Sequence, residues 1–156
     1  MLQQLAIKRI ALIDELSLDF GAGLGVLTGE TGAGKSILLD SLGLVLGSRA
    51  DPGLVQAGAE RASVSAVFGA EGLEAARAVL DEAGLEIEPG EDRLILRRML
   101  SAEGRSRAFV NDQAVSVTLL RQIGAPLVEV QGQFDSGGLT DAAGHRDLLD
   151  SFAGLR

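Results

Sequence analysis

One short stretch of this chain constrains its fold more than any other feature. Residues 29–36 read Gly-Glu-Thr-Gly-Ala-Gly-Lys-Ser and match the pattern G-x-x-x-x-G-K-[ST] at every fixed position. An apolar stretch, Val26 to Thr28, ends just before the pattern, and apolar residues with helical spacing follow from Ser36 to Leu46. A glycine-rich loop between a strand and a helix is typical of phosphate binding. The sequence therefore predicts an α/β fold built around that helix.

The residue types in this loop suit the chemistry of a polyphosphate. Glycines let backbone N–H groups converge on phosphate oxygens, and the helix N-terminus adds partial positive charge. Lys35 can reach the β- and γ-phosphates, and the Ser36 hydroxyl can bind Mg²⁺. The predicted nucleotide-binding residues of the loop are Gly29, Glu30, Thr31, Gly32, Ala33, Gly34, Lys35 and Ser36.

Composition removes several other classes of function. The 156 residues are enough for one domain, and the chain contains no cysteine, which excludes disulfides and thiolate metal sites. The single histidine, His145, cannot build a histidine-rich metal site and is expected on the surface. No run approaches the ~18 consecutive apolar residues of a membrane span. We therefore expect a cytoplasmic protein that does not enter a membrane.

Net charge argues against DNA binding by the whole surface. Fourteen Lys and Arg against 22 Asp and Glu give −8, so any DNA contact must come from a local basic cluster. One cluster of arginines lies between residues 93 and 107, and its Gly-Arg-Ser-Arg turn makes Arg105 and Arg107 the candidate DNA contacts. The alternative is a solvated strand face whose arginines pair with nearby acids such as Glu91 and Glu103.

Hydrophobic periodicity predicts a mixed α and β chain with an antiparallel subdomain formed by the N-terminal strands and residues 61–115. Alternating or short apolar runs predict strands within 2–20 and at 26–28, 61–68, 93–100, 105–110 and 127–130. Helical spacing, with Ser116 and Asp141 as caps, predicts helices over about 36–46, 73–83, 116–124 and 142–152.

Four features of the chain together resemble a known family. They are the strand residues Leu5 and Ile7, the loop and helix of residues 29–51, residues 96–111 with their Gly-Arg-Ser-Arg core, and the Val-Glu-Val-Gln-Gly-Gln run at 128–133. Over nearly its whole length the chain resembles the ATP-binding-cassette ATPases of the SMC type, in particular their bacterial double-strand-break repair members. The resemblance implies a P-loop NTPase fold of the SMC head type.

The same resemblance implies a head that is split in sequence. Residues 1–156 would form its N-terminal lobe and end where a coiled coil begins, while a C-terminal lobe would carry the signature motif and the Walker B carboxylates. Gln131 would be the Gln-loop residue, which senses Mg²⁺ and the γ-phosphate, with Gln133 as the alternative. The implied ligands and partners are ATP, Mg²⁺, the C-terminal lobe, a second head in a homodimer, and double-stranded DNA with its ends. The implied location is the nucleoid.

Two segments imitate the missing motifs. Val79 to Glu82 looks like a Walker B strand ending in Asp81 and Glu82, but it lies inside a helical pattern. Ser136-Gly137-Gly138 echoes the signature motif without the helix and strand that should follow it. We therefore predict that this lobe alone is inactive and that hydrolysis needs the C-terminal lobe.

Two alternative functions remain open. One is a small-molecule or nucleotide kinase. The other is a nucleotide-gated DNA-tethering module that never hydrolyses ATP.

Overall fold

The described part of the chain is built on one antiparallel sheet with helices packed on it. The computed structural model describes residues 1–29 and 33–130. Six strands pair in the order β2-β1-β3-β4-β5-β6, and every neighbouring pair is antiparallel. The strands are β1 (Leu2–Ile10), β2 (Ile13–Asp19), β3 (Arg61–Phe68), β4 (Leu94–Ser101), β5 (Ser106–Val110) and β6 (Gln113–Val115). The helices are α1 (Ala33–Val45), α2 (Ala70–Glu82) and α3 (Val117–Gly124), with a 3-10 turn at Pro52–Leu54.

The two faces of the sheet differ in character because side chains alternate along each strand. The inner face is apolar and buried: in β3, Val64 has no exposed surface and pairs with Ile7 of β1. Helix α1 packs against β1, β3 and β4, and α3 packs against β5 and α2. The outer face carries Lys8, Ser63, Met99 and Arg107, which lie side by side across β1, β3, β4 and β5.

Turns with positive φ connect these elements. Asn111 and Asp112 have φ values of 42° and 64° and form the two-residue turn between β5 and β6. This geometry matches the twist of a hairpin, and Asn and Asp tolerate it better than most residues. Gly104 has φ 85° in the turn between β4 and β5, and Gly47 has φ 95° just beyond α1.

The antiparallel subdomain and the helices that fall on the described residues are confirmed. Strand β3 has the predicted bounds. Helix α3 begins after Ser116, whose side chain accepts a hydrogen bond from the Leu119 amide. Asp81 and Glu82 lie exposed at the end of α2, so their reading as helix residues is also confirmed.

Two predicted buried strands are wrong. Residues 26–28 and 127–130 form no strand, and Val26, Leu27 and Val130 are 74%, 56% and 40% exposed. A strand needs a neighbour to satisfy its backbone hydrogen bonds, and none of the strands from residues 1–29 and 33–130 lies beside either segment.

Several predictions fall outside the described residues. They are those on Glu30, Thr31, Gly32, Gln131, Gln133, the 136–138 segment, His145 and the helix at 142–152. Within residues 1–29 and 33–130, no helix has the length and apolar character needed to cross a membrane.

Candidate nucleotide-binding site

The first turn of α1 is exposed to solvent. The helix begins at Ala33, so Gly34, Lys35 and Ser36 lie in its first turn, and all three are exposed. The first four N–H groups of a helix have no partner within the helix, and its N-terminus carries partial positive charge. The first turn of α1 contains no acidic residue to occupy that position. This helix end can therefore accept an anion.

Lys35 reaches back across the loop. Its Nζ donates to the carbonyl oxygen of Gly29 at 3.5 Å, a long hydrogen bond that an anionic ligand can replace. A Cβ added at Gly29 or Gly34 would meet no atom of the described residues within 4 Å. As far as residues 1–29 and 33–130 are concerned, space is therefore open beside the backbone at both glycines, as the close approach of a phosphate requires.

Of the two candidate Mg²⁺ ligands, Ser36 lies within the described residues. It is exposed in the first turn of α1. No group of three or more His, Asp or Glu side chains suited to a metal is found in residues 1–29 and 33–130. Mg²⁺ usually keeps several waters and takes few protein ligands beside the phosphates of a nucleotide. A single hydroxyl at this position fits that mode of binding, and does not fit a metal site built from protein carboxylates alone.

Within the described part of the chain, some arginines of the cluster form ion pairs and others do not. Arg105 Nε lies 3.6 Å from Glu103, Arg93 Nε lies 3.8 Å from Asp92, and Arg97 Nη2 lies 2.9 Å from Asp112. Arg107 is exposed and forms no ion pair with the part of the chain that is described. Exposed pairs contribute only about 0–1 kcal/mol, so Arg105 can exchange Glu103 for a phosphate at little cost.

Sequence reasoning missed the cations from other strands that join Arg105 and Arg107. Arg61 of β3 lines the same open cavity of about 470 Å³ as those two arginines, together with Glu60 and Glu103. A smaller adjoining cavity is lined by Lys8, Arg9 and again Arg61. We call Lys8, Arg61, Arg105 and Arg107 the outer cationic cluster. Alternation along the strands could have located them, since Lys8 and Arg61 each follow or precede a buried apolar residue and so lie on the outer face.

Glu15 reduces the positive charge at one edge of this cluster. Its carboxylate lies 2.7 Å from Lys8 Nζ on the neighbouring strand. The hydrogen bond from Lys8, and then the charge of Lys8, lower the pKa of Glu15 below its ordinary value. Glu15 is therefore ionised at neutral pH and faces Lys8. Arg61, Arg105 and Arg107 are left as the more available cations.

Family comparison defines the class of the chain. The AAA domain family matches residues 4–113, and the chain belongs to this family. Its fold is that of SMC heads. A structure solved for ATP-driven dimerization and DNA-stimulated activation of SMC ATPases superposes with a TM-score of 0.65 at 21% identity, over 97% of this chain and 98% of that one. The SMC head domain from Thermotoga maritima superposes with a TM-score of 0.56 at 19% identity, over 77% and 40%.

Individual relatives are similar over almost the entire chain. The DNA repair protein RecN of Halalkalibacterium halodurans is 40% identical over 154 residues, which are 99% of this chain and 27% of that protein. RecN of Bacillus subtilis is 39% identical, over 99% of this chain and 26% of its own length. RecN of Haemophilus influenzae is 40% identical, over 98% and 27%. The chain thus spans about a quarter of the length of these relatives.

Proposed function

We propose that this chain is the N-terminal, ATP-binding lobe of an SMC-like ATPase head that acts in DNA double-strand-break repair and recombination. The observation that carries the proposal is the complete phosphate-loop pattern at the N-terminus of α1, with Lys35 and Ser36 exposed. The fold of SMC heads and the similarity to RecN support the wider role. A coiled coil would follow this lobe in the complete protein.

The loop would hold the triphosphate of ATP by backbone and side-chain donors. The amides of residues 29–36 would converge on the phosphate oxygens, and Lys35 would leave the Gly29 carbonyl for the β- and γ-phosphates. Ser36 and Gln131 would hold Mg²⁺, which neutralises charge that develops on the phosphates. Positioning and charge neutralisation are the main contributions that a protein makes to phosphoryl transfer.

A second lobe would complete the site. Large apolar side chains on both sides of the loop in sequence are exposed: Leu24 is 96%, Val26 74% and Leu39 55% exposed. Exposed large apolar side chains are candidates for an interaction surface when they form one patch. We assign these side chains to contacts with the C-terminal lobe, which would bring the Walker B carboxylates. Hydrolysis would occur after two heads dimerise and the partner head supplies its signature motif.

DNA would bind the outer cationic cluster in the full-length protein. Arg61, Arg105 and Arg107 line one open cavity on the outer side of the sheet, which suits contacts with the phosphates of a double strand or its end. Since the chain as a whole carries −8, this contact depends on the local cluster. Phosphate contacts of this kind position DNA without reading its sequence.

Turnover by the full-length protein tests this proposal against its alternatives. We expect ATP hydrolysis that depends on Mg²⁺, responds to double-stranded DNA and is lost in Lys35→Ala. A kinase would instead transfer the γ-phosphate to a small molecule without any response to DNA. A tethering module would bind ATP and DNA but release no phosphate at any DNA concentration. Either result would contradict the proposed function.

A further inference from the structure

Arg98 lies inside the core, at the end of α1 opposite the phosphate loop. It is 2% exposed and shares the inner face of β4 with Leu96 and Leu100. Its Nε donates to the Ser106 hydroxyl at 2.6 Å. Its Nη1 lies 3.3 Å from the Leu44 carbonyl oxygen and 3.4 Å from the Ser48 carbonyl oxygen. One guanidinium thus connects β4 and β5 to the last turn of the helix that begins at the loop.

A second arginine reaches the same helix end from α3. Arg121 donates from Nε and Nη2 to the Gly47 carbonyl oxygen at 3.1 and 3.0 Å. A Cβ at Gly47 would lie 2.7 Å from the Arg121 Cα, so the two backbones are in direct contact. Across residues 1–29 and 33–130, neither Arg98 nor Arg121 forms an ion pair with a carboxylate.

Backbone carbonyls are therefore what these two charges bind. The last carbonyls of a helix have no partner within the helix and carry partial negative charge. The last turn of α1 has no basic residue of its own, so Arg98 and Arg121 bring positive charge to this end from other elements. The Leu44 carbonyl accepts from Arg98 in addition to the Gly47 amide, while the carbonyls of Gly47 and Ser48 lie just beyond the helix. Burial, and then the charge of Arg121, lower the pKa of Arg98, although a guanidinium stays protonated at any ordinary pH.

Burying an arginine without a carboxylate partner costs free energy, because its charge is removed from water. An apolar side chain of similar volume often stabilises a protein equally well or better. What the guanidinium adds is direction, because its planar donors fix the groups that they bind. Here those groups are one carbonyl in the last turn of α1, at Leu44, and the carbonyls of Gly47 and Ser48 just beyond it.

We propose that Arg98, assisted by Arg121, is a positioning residue for the phosphate loop. The proposal rests on the nucleotide site proposed above. Ser36 and Leu44 lie on one continuous helix, about 12 Å apart at ~1.5 Å per residue. Regular secondary elements of this kind can carry coupling between distant sites. Fixing its C-terminal end to β4, β5 and α3 fixes the place of Lys35 and Ser36 at its N-terminal end. A misplacement of about 1 Å at a reacting site can cost about 100-fold in rate.

The full-length protein with a substitution at residue 98 tests this role. In Arg98→Met the donors are lost while a flexible apolar side chain remains, and Arg98→Lys keeps the charge but loses the planar fork. The matched control is Arg97→Met, the same change one position away, on the outer face. Urea unfolding and ATP affinity by calorimetry are measured on each variant, with affinity determined where the variant is fully folded.

We expect Arg98→Met to weaken ATP binding by about 10-fold or more, Arg98→Lys by less, and Arg97→Met by under about 2-fold, because a displaced Lys35 loses a charge-assisted contact with the phosphates. Ser106→Ala, which removes the acceptor of Nε, should weaken binding in the same direction and serves if Arg98→Met does not fold. An affinity unchanged in Arg98→Lys and Ser106→Ala would overturn the proposal, even if stability falls. Lys35→Ala separates the two proposals: if it leaves affinity intact, the nucleotide site itself is wrong.

Discussion

Lys35 occupies a position where a side chain can act on a ligand without supporting the core. It is exposed, and its hydrogen bond is the long one to the Gly29 carbonyl. In the full-length protein we expect Lys35→Ala to abolish ATP binding detectable by calorimetry. The free energy of unfolding should change by less than about 0.5 kcal/mol, since no cavity forms. An ATP affinity close to the parental value would contradict this.

Alanine substitutions at Gly47 and Gly84 distinguish the cost of a steric clash from the cost of backbone strain. Both have positive φ, 95° and 67°, but a Cβ at Gly47 would strike the backbone of Arg121, while at Gly84 it meets no described atom within 4 Å. We expect Gly84→Ala to lower the free energy of unfolding by about 1 kcal/mol and Gly47→Ala by at least about 2 kcal/mol. Equal losses in urea unfolding would show that α3 does not contact this turn.

The pair of Lys8 and Glu15 makes a pH-dependent contribution of known sign. The pKa of Glu15 is lower in the folded chain than in the unfolded chain, because Lys8 donates a hydrogen bond to it. Its stabilisation is therefore present above the unfolded pKa and is lost as pH falls through the folded pKa. In Lys8→Ala the pKa of Glu15 should return towards its ordinary value in an NMR titration. An unchanged value would show that the pair does not form in solution.

At the scale of elements, the hairpin of β4 and β5 carries arginines on both faces. Ser106 turns inward to Arg98, while Arg105 and Arg107 on either side are exposed. Replacing both exposed arginines by Gln should reduce the salt slope of DNA binding by the full-length protein by about one to two units. Arg77→Gln on α2 is the control, since Arg77 is also exposed and pairs with Glu74. A slope unchanged in the double variant would assign these arginines to local ion pairs.

Local signals predicted the elements whose causes are local. Alternation located β3, and the Ser116 hydroxyl marked the start of α3, because both effects act within a few residues. The strand predictions at 26–28 and 127–130 were wrong because a strand forms only beside another strand, and an apolar run does not specify that neighbour. The contacts of Arg98 could not be predicted for a related reason. Alternation along a strand puts Arg98 and Arg97 on opposite faces, but it does not indicate that Arg98 binds the carbonyls of Leu44 and Ser48, which are distant in sequence.

At the scale of the whole molecule, the resemblance to a known family predicted more of the fold than hydrophobic periodicity did. The motifs predicted an SMC-type head lobe, and the fold of SMC heads is confirmed. Leu24 and Leu39, which flank the loop in sequence, are exposed apolar side chains, while the outer cationic cluster lies on the sheet. We propose the apolar side chains as contacts of a second lobe and the cluster as the contact of DNA.

Our central proposal is that this chain supplies the phosphate-binding residues of the site, binds ATP weakly on its own, and needs a second lobe for hydrolysis. The most direct test measures phosphate release by this chain alone, by the C-terminal lobe alone, and by the two mixed, each with Mg²⁺ and ATP. We predict turnover only in the mixture, lost when the chain carries Lys35→Ala or Ser36→Ala. Steady turnover by this chain alone, abolished by Lys35→Ala, would contradict the split site and restore Asp81 and Glu82 as candidates.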